Sequence, residues 1–328
     1  MTCLRAGVIV NTSAGKFEYI RKRISKLKEV FDEIVTGSGR FGGDFLEDVK
    51  IVDIVSSDFK SAIRELTIEL SKCSDVIVSV GGDGTANFIA ATLIDEKLNT
   101  PIMGIAGGTA NVGPLVRFSL ENIEKPSHID FVDCLKVWKG NEHIGYAFID
   151  VVFGDTFLGT LNGKMVNLSV KDFLESGRKV ERIPCDDIAE KLDVLKNSRR
   201  ISLSSKKVAQ IIASPLNFSE FYIGKAVTGK LSWASFFKSV GILTISNRVI
   251  VDSYLKEHEL EDPVLIEQIL FGDGETIEVS GIKRGVYIVL DGNPMCECDY
   301  PIKLQGLRKC VKVLSGSQKA GWPVGWKK

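Results

Sequence analysis

Residues 75–87 read DVIVSVGGDGTAN, and this stretch decides the fold. Residues 76–80 (VIVSV) are apolar and β-branched except for Ser79 and of strand length, as in a strand buried on both faces. The run passes into Gly81-Gly82-Asp83-Gly84-Thr85 and then into a helical pattern through Phe88, Ile89 and Leu93. Paired glycines let the backbone turn sharply and approach a bulky anion, while the helix that follows offers N–H groups and the positive end of its dipole. A carboxylate in such a cradle repels phosphate unless it binds a metal or takes a proton. An aspartate between glycines is by itself an ordinary turn residue. In this strand–loop–helix setting, Asp83 points to phosphoryl transfer.

The same pattern recurs on either side. Residues 6–11 (AGVIVN) are a short apolar run, followed by Ile20, Ile24, Leu27 and Phe31 at helical spacing. Residues 52–55 read as a second strand, Ile63, Leu66 and Leu70 mark a helix face, and residues 101–106 (PIMGIA) are a further strand. Strands alternating with amphipathic helices predict a parallel sheet with helices on both faces, whose ligands bind at the carboxyl ends of the strands. Those ends carry Asn11-Thr12-Ser13-Ala14-Gly15-Lys16, GGDGT and Gly107-Gly108-Thr109-Ala110-Asn111. Three small, hydroxyl-bearing loops on one rim predict a single phosphate-binding mouth. Its candidate residues are Asn11, Ser13, Gly15, Lys16, Gly81, Gly82, Gly84, Thr85, Gly107, Gly108, Thr109 and Asn111. Lys16 lacks the spacing of a Walker A lysine and is assigned a supporting phosphate role. The glycine-rich segment 37–43 (GSGRFGG) does not cleanly follow a predicted strand and reads as a mobile loop.

A chain of 328 residues, 44% of them hydrophobic, is long enough for two cores. Lys+Arg and Asp+Glu both total 42, which removes the case for a broad nucleic-acid footprint. No apolar stretch approaches the ~20 residues of a membrane span. Seven cysteines, an odd number without an N-terminal signal pattern, predict reduced thiols and a cytoplasmic protein. Cys296 and Cys298 form a lone C-x-C without the further ligands of a zinc site. His128, His143 and His258 show no metal spacing.

From about residue 126 the character changes. Residues 131–138 and 144–153 read as strands joined by a turn at 139–142, with further strands at 208–213, 276–279, 286–290 and 309–314. The polar interval 171–207 is expected to hold a helix and surface loops. The resulting division is an α/β nucleotide-binding domain over 1–125, a mostly antiparallel β domain over 126–305, and a segment 306–328 whose strand is expected back in the first domain.

GGDGT, with the loops at 11–16 and 107–111, resembles the superfamily of NAD kinases, diacylglycerol and sphingosine kinases and bacterial lipid kinases. VNTSAGK resembles the first-strand N-P-x-x-G loop of the lipid kinases, with Thr12 where proline is usual. GIAGGTANVGPLVRF resembles their G-T-x-N segment, and Leu290-Asp291-Gly292-Asn293 resembles a D-G-E motif with asparagine in place of the acid. The resemblance implies an α/β domain followed by a β-sandwich, an active site in the crevice between them, and a kinase using ATP and Mg²⁺. Asp83 would act as catalytic base or Mg²⁺ partner, and Asp291 as a second metal candidate.

On the acceptor side the chain departs from NAD kinases. Their Asn-Glu pair lies within a strand, and the matching context here is Ala147-Phe148-Ile149-Asp150-Val151-Val152-Phe153, which keeps an acid at Asp150 and has Ile149 for asparagine. Asn141-Glu142 sits in the turn itself and reads as structural. Ile211-Ile212-Ala213-Ser214-Pro215 resembles the I-V-A-T-P stretch before their T-P-T-G-S-T loop, but Leu216-Asn217-Phe218 follow. Asp150, Asp155 and Ser214 are the candidate substrate-binding residues. The first expectation is an NAD kinase-like enzyme phosphorylating NAD or a related small molecule, to give NADP in the case of NAD, with ATP or polyphosphate as donor. A lipid kinase is the main alternative, and a non-catalytic nucleotide sensor the third. Phe218, Phe221, Tyr222, Trp233, Phe236 and Phe237 are concentrated enough to suggest the apolar cleft or membrane-facing patch a lipid kinase needs, but a β-domain core or the contact of a homo-oligomer accounts for them better.

Overall fold

The fold is that of a computed structural model, which describes residues 3–108, 111, 113–121, 123–204, 207–217, 238–253 and 263–316. The aromatic cluster from Phe218 to Phe237 lies outside the described residues. The chain divides into two compact units, Met1–Val132 with Lys309–Lys328, and Asp133–Arg308.

In the first unit the apolar runs form β1 (Arg5–Val10), β2 (Glu33–Gly37), β3 (Lys50–Val52), β4 (Val76–Gly81), β5 (Ile102–Ala106) and β6 (Val116–Phe118). They pair in parallel in the order β3-β2-β1-β4-β5, with β6 against β5. Every residue of β4 is buried, which is why it reads as an apolar run broken only by the small Ser79. Val313 also pairs in parallel with Ile102, so a strand from the far end of the chain belongs to this sheet. The helices are α1 (Phe17–Arg21), α2 (Phe59–Cys73) and α3 (Asp83–Asp95). The Asp58 carboxylate caps α2 by accepting from Ser61 N, and the helix buries Ala62, Ile63, Leu66 and Leu70.

Three expectations change. Ile20, Ile24, Leu27 and Phe31 are all buried, but α1 stops at Arg21 and a 3₁₀ segment, Ile24–Glu29, takes over; neither piece has a side-chain N-cap. The strand expected over 52–55 is instead β3, three residues at the sheet edge, and β2 was not anticipated. The segment 37–43 does follow a strand and is a compact turn. Gly37 ends β2, Gly43 N donates to Gly37 O at 2.9 Å, and the buried Phe41 stacks on Phe59 with ring centroids 6.0 Å apart.

The second unit begins within β7 (His128–Lys139), which turns at Gly140-Asn141 into β8 (Glu142–Ala147). There follow β9 (Val151–Gly154), β10 (Thr156–Leu161), β11 (Lys164–Ser169), α4 (Val170–Ser176), β12 (Ala189–Lys196), β13 (Arg199–Arg200) and β14 (Gln210–Pro215). The remainder is β15 (Gly241–Ser246), β16 (Ile266–Phe271), β17 (Thr276–Ile282), β18 (Tyr287–Leu290), β19 (Asn293–Glu297) and β20 (Ile302–Ser315). One sheet is antiparallel throughout, β16-β15-β14-β9-β18-β19. β12 and β17 pair antiparallel, and β17 pairs with the first part of β20. Val151, Phe153, Ile211, Leu243 and Ile288 from the first group share a core with Leu135, Val194, Ile277, Val279 and Ile302 from the second, the packing of a β-sandwich.

The interval 171–207 therefore holds two strands, β12 and β13, as well as a helix and loops. The strand expected over 144–153 is broken: β8 ends at Ala147 and β9 starts at Val151. The N–H groups of residues 148–150 turn to the Asp291 carboxylate rather than to a neighbouring strand. No helix among the described residues is long and apolar enough to cross a membrane.

Candidate active site

The parallel register sets the ends of three strands side by side, with Val10 opposite Val80 and Gly81 opposite Ala106. Hydrogen bonds then lock the loops together. Asn11 N donates to Val80 O at 2.9 Å, Gly107 N to Gly81 O at 2.7 Å, and Lys16 N to Gly107 O at 3.0 Å. The Asn11 side chain works in both directions, donating from Nδ2 to Thr85 Oγ1 at 2.8 Å and accepting from Ser13 N at 2.9 Å. Small residues are required at the crossing: a Cβ on Gly107 would come within 2.4 Å of Ile20 Cδ1 and 3.2 Å of Gly81 Cα. Asn11, Ser13, Gly15, Lys16, Gly81, Gly82, Gly84, Thr85, Gly107, Gly108 and Asn111 thus lie on one rim, with Ser13, Gly15 and Lys16 exposed and Gly81, Thr85 and Gly107 buried. Thr109 lies outside the described residues.

Asp83 is the first residue of α3, whose N-cap, Gly82, supplies no side chain. The Asp83 carboxylate is 9% exposed and accepts from Gly113 N at 3.1 Å, which ties the start of α3 to the loop after β5. Asn111 reaches the same place. Its Nδ2 donates to Gly108 O at 3.3 Å, and its buried Oδ1 has no hydrogen-bond partner among the described residues. A Cβ on Gly82 would sit 3.5 Å from Gly108 Cα and 3.9 Å from that oxygen, so a side chain at Gly82 would occupy the mouth.

The acids of the second unit separate into two groups. Val151 pairs with both Leu290 and Ala213, which brings Asp150, Asp291 and Ser214 to one end of the six-stranded sheet. Asp155 follows the other end of β9, roughly 15 Å along the strand direction from Asp150. Its carboxylate is committed to Arg182 Nε at 2.6 Å and Cys185 N at 2.9 Å. Asp291 and Gly292, with φ of +49° and +76°, are the two-residue turn between β18 and β19, the left-handed pair that such a hairpin needs. The Asp291 carboxylate accepts from the N–H groups of Phe148, Ile149 and Asp150. This use of its oxygens anchors backbone and leaves little for a metal. Burial pushes the Asp291 carboxyl up to about 7, against the opposing pull of its peptide donors, and burial pushes Asp150 up to about 6.

Sequence reasoning missed Asn217 as a working residue. Its Oδ1 accepts from Asp133 N at 2.6 Å, and its Nδ2 donates to Asp133 O at 3.0 Å and Phe148 O at 3.5 Å. The signal available was the departure at Leu216-Asn217 itself: a polar residue at the end of an apolar strand.

Residues 5–117 match the diacylglycerol kinase catalytic domain family, which spans β1 through β6 and all three rim loops. The whole chain superposes on a diacylglycerol kinase structure from Bacillus anthracis with a TM-score of 0.53 at 11% identity, covering 97% of this chain and 98% of that one. It also superposes on yeast NADH kinase in complex with NADH, with a TM-score of 0.50 at 10% identity, covering 97% and 85%. The fold is that of these kinases, and the diacylglycerol kinase family match covers the first third of the chain. An uncharacterized protein from Archaeoglobus fulgidus is 24% identical over 307 residues, 89% of this chain and 92% of that one.

The proteins the chain resembles in fold are kinases, a class of enzyme that uses a nucleotide and a metal. The rim fits such a group on two counts: the Asn111 Oδ1, which has no partner among the described residues, and the space beside Gly82 that a methyl group would fill. The described residues contain no cluster of three or more His, Cys, Asp or Glu side chains suited to a metal. One carboxylate is compatible with Mg²⁺, which keeps several waters and takes its remaining ligands from substrate phosphates.

Proposed function

We propose that the protein is an ATP-dependent phosphotransferase whose acceptor is a hydroxyl of a diacylglycerol-type lipid. The observation that carries the phosphotransfer reading is the hydrogen-bonded convergence of three glycine loops around Asp83 at the start of α3. Asn11, Thr85, the glycines and Asn111 shape the mouth, Lys16 adds positive charge at its exposed edge, and Asp83 takes the hydroxyl proton or helps hold the metal. Bound Mg²⁺ and ATP would supply the transferable phosphoryl group and neutralise its charge. Positioning and charge are what such a transfer asks of a protein.

The diacylglycerol kinase match and the acceptor side favour a lipid over the NAD of the first expectation. Ile149 stands where NAD kinases have asparagine, and Asn217, in the stretch that departs from their T-P-T-G-S-T loop, is bound to Asp133 and Phe148. The fold of yeast NADH kinase supports NAD as a second reading. In both readings Asp150 is the acceptor-side carboxylate.

The test is transfer of label from γ-³²P-ATP, with Mg²⁺, to dioleoylglycerol in mixed micelles and to NAD in parallel, with polyphosphate as a further donor. Label in the lipid product supports the proposal. Label in NADP alone selects the second reading, and calorimetric ATP binding without transfer to either acceptor identifies a nucleotide sensor.

A further inference from the structure

We infer that Asp291 is a positioning residue: it holds the turn at residues 148–150 so that the Asp150 carboxylate stands ready to receive a hydrogen bond from the acceptor hydroxyl. The inference rests on the reading of Asp150 as the acceptor-side carboxylate.

Three acids lie near the two ends of β9, and they differ in what their oxygens do. Asp155 is closed off by Arg182 and Cys185. The Asp291 Oδ1 receives Phe148 N at 3.2 Å, Ile149 N at 2.8 Å and Asp150 N at 2.9 Å, while Phe148 N also lies 3.0 Å from Oδ2. Asp150, partly exposed, has no side-chain hydrogen bond among the described residues. An acid with a purely structural role commits its carboxylate, as Asp155 and Asp291 do, because leaving a partly buried acceptor without a donor is costly.

The anchoring explains how Asp150 can be left in this state. Three consecutive N–H groups aimed at one carboxylate cannot alternate as they do in a ladder, so the strand breaks and the side chains of 149 and 150 leave its two-face alternation. Asp291 N donates back to Asp150 O at 2.9 Å. Asn217 grips Phe148 O from another side while bridging to the Asp133 backbone. Both ends of the turn are fixed, and its one uncommitted polar side chain is Asp150. Ser214, one residue beyond the Ala213–Val151 pair, places a hydroxyl at the same sheet end.

The test compares Asp291→Ala with Asp291→Asn, since asparagine keeps an Oδ1 acceptor and alanine does not. In D291A the amides of Ile149 and Asp150 should exchange with solvent at least about tenfold faster, as local opening becomes easier. The KM for dioleoylglycerol or NAD, whichever is phosphorylated, should rise about tenfold while the KM for ATP stays within about twofold. D291N should restore both. The inference is overturned by protected amides in D291A, by ATP and acceptor KM rising together, or by D291N behaving like D291A. If D291A does not fold, Asp150→Asn decides: it should raise the acceptor KM with wild-type amide exchange, and an unchanged KM refutes the inference. Failure to phosphorylate either acceptor would overturn the function proposed above, whereas the exchange comparison would still show whether Asp291 holds the turn.

Discussion

The side-chain amide of Asn11 donates to the Thr85 hydroxyl at 2.8 Å, joining the loop after the first strand to the first turn of the helix that begins at Asp83. The pair is separated by 74 positions in sequence. Asn11→Ala removes this bond and the acceptor of Ser13 N, and should lower stability by about 1 kcal/mol, the usual net worth of such bonds. It should also raise the KM for ATP several-fold with little change in acceptor KM. Urea melts and initial rates check both.

Asp83→Asn is expected to lower turnover by about 10²–10⁴, the range for a positioned general base, with the fold intact. Turnover near the wild-type rate would remove Asp83 from the chemistry and leave it as an anchor for Gly113 N.

Gly107→Ala tests the closeness of the loops. The added methyl meets Ile20 Cδ1 at 2.4 Å and Gly81 backbone at 3.2–3.3 Å, and Gly81 cannot move without disturbing GGDGT. Overpacking of this kind costs about 1–3 kcal/mol. A thermal melt should show the loss, with weaker ATP binding by calorimetry.

Asp150 and Asp291 hold protons in the folded chain up to about pH 6 and 7, against an ordinary 3.8. Between these limits the folded state binds more protons than the unfolded state, so their contribution is full below about pH 4 and is lost as pH rises through 6 to 7. Carboxylates held low by hydrogen bonds, such as Glu33 and Glu65, act in the opposite sense, but they are already ionised above pH 5. The melting temperature should therefore fall by roughly 3 °C from pH 5 to pH 8, and Asp291→Asn should flatten the slope. An equal slope in the variant would show that Asp291 does not titrate in this window.

The rim of glycine loops was legible because its strands are buried on both faces: β1, β4 and β5 announce themselves as mostly apolar runs, and each runs into glycine or a small polar residue. The acceptor side was not. The break between β8 and β9 depends on Asp291, 142 positions away from Ile149, and the role of Asn217 depends on Asp133, 84 positions away. A local window sees a mostly apolar stretch at 144–153 with one acid, Asp150, and only the partner explains the turn. β12 escaped notice for a different reason, because AEKLDVLK is only half-buried and its charges read as loop.

The pairing of Val313 with Ile102 makes the parallel sheet a discontinuous unit, with all of Asp133–Arg308 inserted between its last two contributions. A ribosome must therefore finish the β-sandwich before it can deliver the strand that lies against β5. During synthesis Ile102 presents one edge without its Val313 partner, and the nascent chain has to keep that edge from pairing elsewhere. Circular permutants that join the native ends and open a loop of the sandwich would make the first unit continuous and remove that wait.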